Sequence, residues 1–430
     1  MINRREFIQN SMLTGIGITL GGPTDIVSPN SNEEVSSMIL LGSNDKVQDE
    51  AYWKQIRGLF QIPDDFINLE NGYFSPQPKT TMAFHQAREQ YINTRTSWFM
   101  RKEQEATLTS ARNELAGFLG CVPNELAITR NTTESMNILT SGYPWKAGDE
   151  IIIGNQDYGS MVSAFHQVSR RYGVIIKVAQ VPMHPMSEEE VVNAYSSLFT
   201  NRTKLVHLTH LINLTGQIIP VTQIAVRAKG AGIEVSVDVA HSVAHVQFNI
   251  LELEADYVAG SLHKWLCNPL GAGFLWVKQE RIRNLYPLLA DEEFLDNDIR
   301  KFEHQGTRPL QTLDTIKESI RFHQTIGGEL KQNRLRYLMR YWVNKVVMTP
   351  GIKINTPYNN INQHGAIGNV SVDGYTPEAL ADKLLSDYKI FTVAINHDIV
   401  KGVRITPHIY NSLEELDKLV VALNEIANKK

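Results

Sequence analysis

The 430-residue sequence is poor in cysteine, in long apolar runs and in excess positive charge. Its two cysteines, Cys121 and Cys267, exclude a disulfide framework, and their spacing does not match a metal site. The sequence has no uninterrupted run of about 18 apolar residues, so it predicts no conventional membrane-spanning helix. The net charge is −4 and the basic residues are scattered, which predicts no nucleic-acid partner.

The N-terminus carries a pattern of its own. Arg4 and Arg5 are followed by Phe7 and by a weakly apolar stretch over residues 12–20. This pattern is typical of a twin-arginine (Tat) signal, which sends a folded protein to the export machinery. The alternative is a polar tail that contains two arginines. We therefore predict a signal at residues 1–22, a polar linker at 23–48 and export to the periplasm, with a cytoplasmic location if the signal is not used.

Seven short apolar segments alternate with helical patterns in the middle of the chain. Most are rich in β-branched residues and apolar on both faces, as expected of strands that are covered on both sides. The alternation predicts an α/β fold with a mainly parallel seven-stranded sheet in a large domain, residues 49–308. A smaller C-terminal α/β domain, residues 309–430, is predicted to follow, and residues 49–75 are candidates for packing on it. The predicted strands are residues 125–130, 150–154, 174–179, 205–210, 234–239, 257–261 and 272–277.

Polar residues follow several of these strands at their carboxyl ends, where α/β sheets bind ligands. Lys264 lies beyond the strand at 257–261. A free ammonium is costly to bury, whereas an amine bound as an imine to an aldehyde cofactor is not. Ser261 and His263 can hydrogen-bond a nearby anion. The alternative is a solvated lysine in a surface loop.

Asp238 lies within the apolar strand at residues 234–239. A carboxylate there needs a partner, and a protonated pyridine nitrogen would be one. The alternative is a buried aspartate that is bonded to the backbone.

Three further strand ends complete the pattern. Thr132 and Thr133 open a helix, where a phosphate is favoured, although an N-cap explains either threonine equally well. Tyr158 can stack on a flat cofactor or pack in the core. Asn213 can donate to a phenolate oxygen or hold a turn. Together these residues supply what pyridoxal 5'-phosphate needs: a phosphate site, a ring partner, a carboxylate and a lysine.

These motifs resemble the class V aminotransferase family of pyridoxal-phosphate enzymes, which have the fold-type I architecture. The resemblance covers about residues 50–425. Within the family, Asn71-Gly72-Tyr73 and the segment at residues 407–411 are most similar to the isopenicillin N epimerase-like branch. The segments that carry the resemblance are residues 130–134, 237–241, 260–266, 305–307 and 404–411.

The resemblance implies a catalytic lysine, a set of cofactor ligands and a clamp for an amino acid substrate. Lys264 would hold the cofactor as an aldimine and carry the α-proton, and Arg404 would bind the α-carboxylate. Thr307 would reach the phosphate in the other subunit of a homodimer. The family glycine after the strand aspartate is Val239 here. The other implied cofactor contacts are Thr132, Thr133, Ser261 and His263 at the phosphate, Asp238 at the ring nitrogen, Tyr158 over the ring, and Asn213 and His241 near the ring hydroxyl.

The pocket for the substrate side chain is predicted from aromatic and cationic residues near the N-terminus of the large domain. Tyr73, Trp98, Phe99 and Arg101 are the candidates, and we expect the last three in a loop. Packing of the aromatic rings in the core is the alternative.

The predicted reaction begins with loss of the substrate α-proton to Lys264. Return of the proton to the opposite face gives epimerisation, which the isopenicillin N epimerase-like resemblance favours. Transamination and C–S lysis of cysteine or cystine are the alternatives, and a non-catalytic pyridoxal-phosphate-binding protein is an alternative of another class. Cysteine desulfuration needs a mobile nucleophilic thiol, and neither Cys121 nor Cys267 is in a suitable place.

Overall fold

The computed structural model describes residues 44–428. The predicted signal and all but the last part of the predicted linker lie outside these residues, and residues 44–48 form a 3-10 helix. Among the described helices, none combines the length and the apolar character that crossing a membrane requires.

Helices and strands alternate along the described chain. The helices are α1 (Glu50–Gly58), α2 (Lys79–Arg95), α3 (Ser97–Lys102), α4 (Gln104–Leu119), α5 (Thr132–Gly142), α6 (Gly159–Tyr172), α7 (Glu188–Ser196), α8 (Val221–Gly230), α9 (Gln279–Ile282), α10 (Leu310–Asp314), α11 (Ile316–Ile326), α12 (Gly328–Val346), α13 (Pro377–Tyr388) and α14 (Leu413–Asn428). The strands are β1 (Ile67–Asn68), β2 (Leu126–Thr129), β3 (Glu150–Gly154), β4 (Ile175–Ala179), β5 (Thr203–Thr209), β6 (Glu234–Asp238), β7 (Tyr257–Ser261), β8 (Gly273–Val277), β9 (Ile352–Ile354), β10 (Gly368–Val372), β11 (Ile390–Phe391), β12 (Val393–Asn396) and β13 (Lys401–Ile405).

Seven strands form the large sheet, in the order β2-β8-β7-β6-β5-β3-β4. The neighbours from β7 to β4 are parallel, because helices cross over between most of them. β8 is antiparallel to both of its neighbours, since only a turn joins it to β7. The predicted fold class, a mainly parallel seven-stranded sheet with a smaller C-terminal α/β part, is confirmed. The carboxyl ends of β2, β3, β5, β6 and β7 consequently meet at one edge.

The turn between β7 and β8 is held close to the start of α5. Gly273 has no side chain, and a Cβ at this position would lie 2.6 Å from Cα of Asn131. Any larger residue at position 273 would therefore push the N-terminus of α5 away from the turn that carries Lys264.

A smaller sheet has the order β12-β13-β10-β9, and all its pairs are antiparallel. Its core contains Trp342 from α12, which is fully buried together with residues of β10, β13 and α14. The predicted domain boundary near residue 308 stays a prediction.

The N-terminal segment joins this smaller sheet region. β1 pairs in parallel with β11, with Ile67 opposite Ile390. Beyond β1, the backbone N–H of Thr406 donates to the carbonyl of Leu69 over 2.8 Å. These bonds place residues 70–73 beside Arg404, which lies on β13.

Candidate active site

A cavity of about 490 Å³ lies at the carboxyl edge of the large sheet. Loops after β2, β3, β5, β6 and β7 form most of its wall, and the N-terminal segment and β13 close it. The structure brings most of the predicted site residues together here. The predicted residues in the wall are Tyr73, Thr132, Thr133, Tyr158, Asn213, Asp238, His241, Ser261, His263, Lys264 and Arg404.

Lys264 faces His241 across the cavity wall, with 2.9 Å between Nζ and Nε2. The pKa of Lys264 is lowered to about 8, mainly by burial and in part by Arg404, while the Asp238 carboxylate opposes the shift. Burial also holds the pKa of His241 well below its usual range, and the Lys264 charge adds to the effect. His241 is therefore neutral, and Lys264 is partly deprotonated near neutral pH.

Trp265 determines which nitrogen of His241 carries the proton. The Trp265 indole N–H donates to His241 Nδ1 over 3.4 Å. Because an indole N–H can only donate, we assign the imidazole proton to Nε2, which points at Lys264 Nζ. Lys264 can accept a hydrogen bond from this N–H only through the lone pair of its neutral amine. The neutral amine is also the form that attacks an aldehyde.

Asp238 is buried at the end of β6. One of its carboxylate oxygens, Oδ1, accepts the Ala240 backbone N–H over 2.8 Å. Burial raises the pKa of this carboxyl group, although the Ala240 hydrogen bond and Lys264 oppose the shift. The backbone-bonded alternative is thus correct for one oxygen, and the carboxylate also lines the cavity.

The start of α5 meets β7 at a pair of hydroxyl groups. Ser261 Oγ accepts the backbone N–H of Thr132 over 2.9 Å, and Thr132 Oγ1 lies 2.8 Å from the same oxygen. The N-cap of α5 is Asn131, whose side chain accepts the Glu134 backbone N–H over 2.9 Å. The capping alternative for the two threonines is therefore wrong, and both point to the cavity end of the helix, where an anion is stabilised.

Arg404 already has a carboxylate partner, which sequence reasoning did not identify. Its Nε donates to Oε2 of Glu70 over 3.3 Å, its Nη2 donates to Oε1 of Glu70, and its Nη1 donates to the Asn213 carbonyl over 3.1 Å. Gly72 packs on the guanidinium, since a Cβ there would lie 3.1 Å from Cζ of Arg404. The position of Arg404 is thus fixed before any substrate binds.

A family model described as aminotransferase class-V matches residues 75–419. The chain belongs to the class V aminotransferase family. Members of this family use pyridoxal phosphate, and the chain is accordingly a pyridoxal-phosphate-dependent enzyme of this fold.

Two kinds of relative align with most of the chain. The chain is 26% identical to an isopenicillin N epimerase from Streptomyces clavuligerus over 395 residues, which cover 88% of this chain and 99% of the relative. It is also 26% identical to a probable cysteine desulfurase from Synechocystis over 342 residues, covering 73% of this chain and 79% of that one.

Solved structures share the class V fold. The apo cysteine desulfurase of Thermococcus onnurineus superposes with a TM-score of 0.77 at 23% identity, covering 87% of this chain and 98% of that one. C-DES, in a form with glycine covalently linked to the pyridoxal-phosphate cofactor, gives 0.78 at 19% identity, covering 86% of this chain and 99% of that one.

The cavity of this class V chain has polar atoms that suit the cofactor. Asn213 Oδ1 and His263 Nδ1 are buried in its wall and have no hydrogen-bond partner among the described residues. Buried polar atoms are normally satisfied, so a ligand with complementary groups is expected there. With the α5 N-terminus and Asp238, these atoms fit a phosphorylated, nitrogen-containing ring. The roles of the individual residues stay predictions.

Four predicted site residues lie outside the cavity of their own chain. Trp98, Phe99 and Arg101 belong to helix α3 and not to a loop. Phe99 has no exposed surface and packs edge-on against Tyr91, with ring centroids 6.1 Å apart, so its prediction as a pocket residue is wrong. Trp98 and Arg101 are exposed. Thr307 is exposed as well, and its predicted role concerns a second subunit.

Both cysteine thiols are poor nucleophiles. Burial raises the pKa of Cys121 to about 12 and that of Cys267 to about 11. Cys267 is also held in the core, where its Sγ lies 3.6 Å from Nε2 of His408.

Proposed function

We propose that this class V enzyme inverts the configuration at the α-carbon of an amino acid, in the manner that the name isopenicillin N epimerase describes. The observation that carries the proposal is the contact between Lys264 and His241, whose Nζ and Nε2 atoms lie 2.9 Å apart in a cavity that also contains Arg404. The isopenicillin N epimerase relative, which aligns with most of both chains, supports epimerisation.

The cofactor ligands in the proposal follow from the cavity wall. The Thr132 N–H, Thr133, Ser261 and His263 would hold the phosphate, because they surround the N-terminus of α5. Asp238 would hold the ring nitrogen, Asn213 and His241 the ring hydroxyl, and Tyr158 the ring face. When bound, pyridoxal phosphate withdraws electrons from the α-carbon of an attached amino acid.

The protein groups then act on one substrate proton. Arg404 binds the α-carboxylate through N–H groups that Glu70 and Asn213 leave available. Lys264 Nζ would accept the substrate α-proton. The Nε2–H of neutral His241 would donate to Lys264 Nζ and so favour the amine form before the transfer. Inversion requires a proton from solvent to reach the face of the α-carbon opposite to Lys264, because one amine serves only one face.

Cysteine desulfuration is not part of the proposal. That reaction needs a thiol nucleophile near the substrate, and burial raises the pKa of both cysteines. Neither thiol lines the cavity within residues 44–428.

The test uses purified holoenzyme and separate L-amino acids in D₂O, without an oxo acid. We expect α-deuterium incorporation and formation of the D-enantiomer, measured by mass spectrometry and chiral chromatography. Formation of an oxo acid, with activity restored by a second oxo acid, would instead identify an aminotransferase. Pyruvate with sulfide or persulfide would identify a C–S lyase. A protein that binds the cofactor but exchanges no α-proton would be a non-catalytic binding protein.

We also propose a homodimer in which Thr307 completes the partner's phosphate site, because Thr307 is exposed and outside its own cavity. Mixing inactive Lys264→Ala with impaired Thr307→Val chains should restore activity, since one site of each mixed dimer then has both residues. No gain on mixing, under conditions where chains exchange, would contradict the shared site.

Export remains a proposal that rests on Arg4 and Arg5. Replacing both with lysine should retain the protein in the cytoplasm, measured by cell fractionation. An unchanged distribution would contradict the signal.

A further inference from the structure

A second cavity, of about 580 Å³, adjoins the first. Tyr73 and Arg404 lie in the walls of both cavities. The remaining wall comes from the N-terminal segment on one side and from β11 and β12 on the other. Neither the predicted pocket residues of α3 nor the cofactor ligands of the large sheet contribute to it.

The second cavity is mainly apolar. Two of its aromatic rings, Phe66 and Phe391, meet edge to face with centroids 5.9 Å apart. Phe391 is 39% exposed, although aromatic side chains are normally covered in a folded protein. The apolar wall residues are Pro63, Phe66, Phe74, Pro76, Phe391 and Val393.

The polar groups in this wall are largely paired with one another. Asn68 Nδ2 donates to the Tyr410 hydroxyl over 2.9 Å, and that hydroxyl donates to Asn71 Oδ1 over 2.6 Å. Glu70 and Arg404 neutralise each other across a side-on pair. The cavity therefore contains no unbalanced charge from these residues, and it does not favour a charged ligand group.

The Glu70–Arg404 pair leaves room for a substrate carboxylate. A guanidinium has five N–H groups, and Glu70 and the Asn213 carbonyl use three of them. The other two N–H groups of Arg404 have no hydrogen-bond partner within residues 44–428. Arg404 can thus bind an α-carboxylate without losing Glu70, and the substrate side chain then leaves the α-carbon beside Tyr73, where the two cavities meet.

We propose that the second cavity binds the side chain of an extended amino acid substrate that ends in an uncharged, apolar group such as an aromatic ring. This assignment rests on the proposed function for the position of the α-carbon. Tyr73 is 73% exposed and forms the boundary that the side chain passes. Small amino acids such as alanine occupy the first cavity alone.

The test measures binding of unreactive acids to the purified holoenzyme by calorimetry. Butanoate and 4-phenylbutanoate share the carboxylate, and only the second has an aromatic ring. Because burial of a large apolar group strengthens binding by about tenfold to a hundredfold, we expect 4-phenylbutanoate to bind more tightly by that factor. Equal affinities would overturn the proposal, and they are the expected result if a second copy of the chain fills the cavity.

Matched variants test whether the second cavity causes the tighter binding of 4-phenylbutanoate. Val393→Trp fills the second cavity and should remove the preference for 4-phenylbutanoate. The readout is the ratio of the two affinities, because Val393 is the cross-strand partner of Arg404, which holds the carboxylate of both acids. Ile399→Trp is the control: Ile399 follows β12 at 38% exposure and lines neither cavity, so the preference should persist. If Val393→Trp does not fold, Phe66→Ala removes part of the wall and should reduce the preference. A preference that survives in the folded Val393→Trp or Phe66→Ala protein would overturn the assignment.

A kinetic comparison separates this proposal from the proposed function. Val393→Trp should raise KM for α-deuterium exchange of 2-amino-4-phenylbutanoate at least tenfold more than it raises KM for alanine. The binding measurement does not require turnover. A holoenzyme that prefers 4-phenylbutanoate but exchanges no α-proton would refute epimerase chemistry and leave the cavity assignment intact.

Discussion

Two buried lysines adjoin Trp265 and differ in what surrounds them: Lys264 precedes it in the chain, and Lys331 hydrogen-bonds to its backbone. Burial lowers the pKa of both Lys264 and Lys331 to about 8. Lys264 faces His241 and the first cavity. Lys331 is 1% exposed and donates to the Trp265 backbone carbonyl, near Cys267. A lowered lysine pKa therefore does not identify an active site, and access to a cavity with converging polar groups does.

Two buried arginines repeat the contrast. Arg112 donates to Glu303 through Nε over 3.1 Å and through Nη2 over 2.6 Å, the same side-on arrangement that joins Arg404 to Glu70. Glu303 also accepts the Ile128 backbone N–H, so this pair fastens residues near 303 to β2. Of these two arginines, Arg404 lines both cavities described above and Arg112 lines neither. The same side-on type of ion pair thus stabilises the fold at Arg112 and forms part of the candidate site at Arg404.

The largest expected difference is between Lys264→Ala and Lys331→Met. Lys264→Ala should abolish the covalent cofactor absorbance and lower α-deuterium exchange by at least about a hundredfold, because the proton acceptor is lost. Lys331→Met removes a buried amine away from the cavity and should keep both signals. Visible absorbance and isotope exchange measure the two effects. Equal losses in both variants, with both proteins folded, would remove the distinction between the lysines.

The second comparison replaces Arg404 or Arg112 with methionine. Arg404→Met leaves the buried Glu70 carboxylate without its partner and should lower the free energy of unfolding by about 3–5 kcal/mol. Arg112→Met should lower it by less, because Arg308 Nη2 remains 3.8 Å from Oε2 of Glu303. Arg404→Met should also raise KM about tenfold or more, because a charge-assisted bond to the α-carboxylate is lost. Arg112→Met should leave KM unchanged. Urea unfolding and steady-state exchange give the two quantities, and an unchanged KM in Arg404→Met would contradict the clamp.

The third comparison uses pH. In protein freed of cofactor, reductive methylation of Lys264 should rise as pH increases through about 8, because the ammonium form lacks the lone pair that reacts. An unperturbed lysine would show this rise only near pH 10.4. Lys331 has a similar pKa but should remain unlabelled in the folded protein, because it is almost fully covered. Peptide mass spectrometry reports both sites, and equal labelling would contradict the difference in access.

The smallest expected effects lie at the start of α5. Asn131→Ala removes the N-cap and should lower the free energy of unfolding by about 1 kcal/mol. Thr133→Val keeps the size of the side chain and removes a hydroxyl that lines the cavity, so it should weaken cofactor affinity with little loss of stability. Thermal unfolding and cofactor titration distinguish the two. A larger stability loss in Thr133→Val would mean that Thr133 serves the helix.

The large sheet was predictable because its strands are short, apolar runs bounded by polar turns. Asp238 and Lys264 were prominent for the same reason, since a charged residue in or next to such a run is unusual. The carboxyl ends of parallel strands then had to lie at one edge, which brought most of the site together.

The missed features depend on distant parts of the chain. The resemblance assigned Arg404 to a substrate carboxylate, but its partner Glu70 lies 334 positions away, and no local pattern joins them. Phe99 was misplaced because aromatic residues in a short helix and in a pocket loop look alike without the neighbouring Tyr91. Thr307 lies outside its own cavity, and its proposed role involves a second subunit that the sequence cannot position.

The contacts between residues 69–71 and β13 also set an order of events during synthesis on the ribosome. Glu70 emerges early, whereas Arg404 and Thr406 emerge only after every strand of the large sheet has been synthesised. Closing so long a separation is slow compared with forming local contacts. The nascent chain can therefore assemble the lysine turn before it can close the cavity. A chain truncated before β13 would have Lys264 in its turn but would lack the part of the cavity wall that contains Arg404.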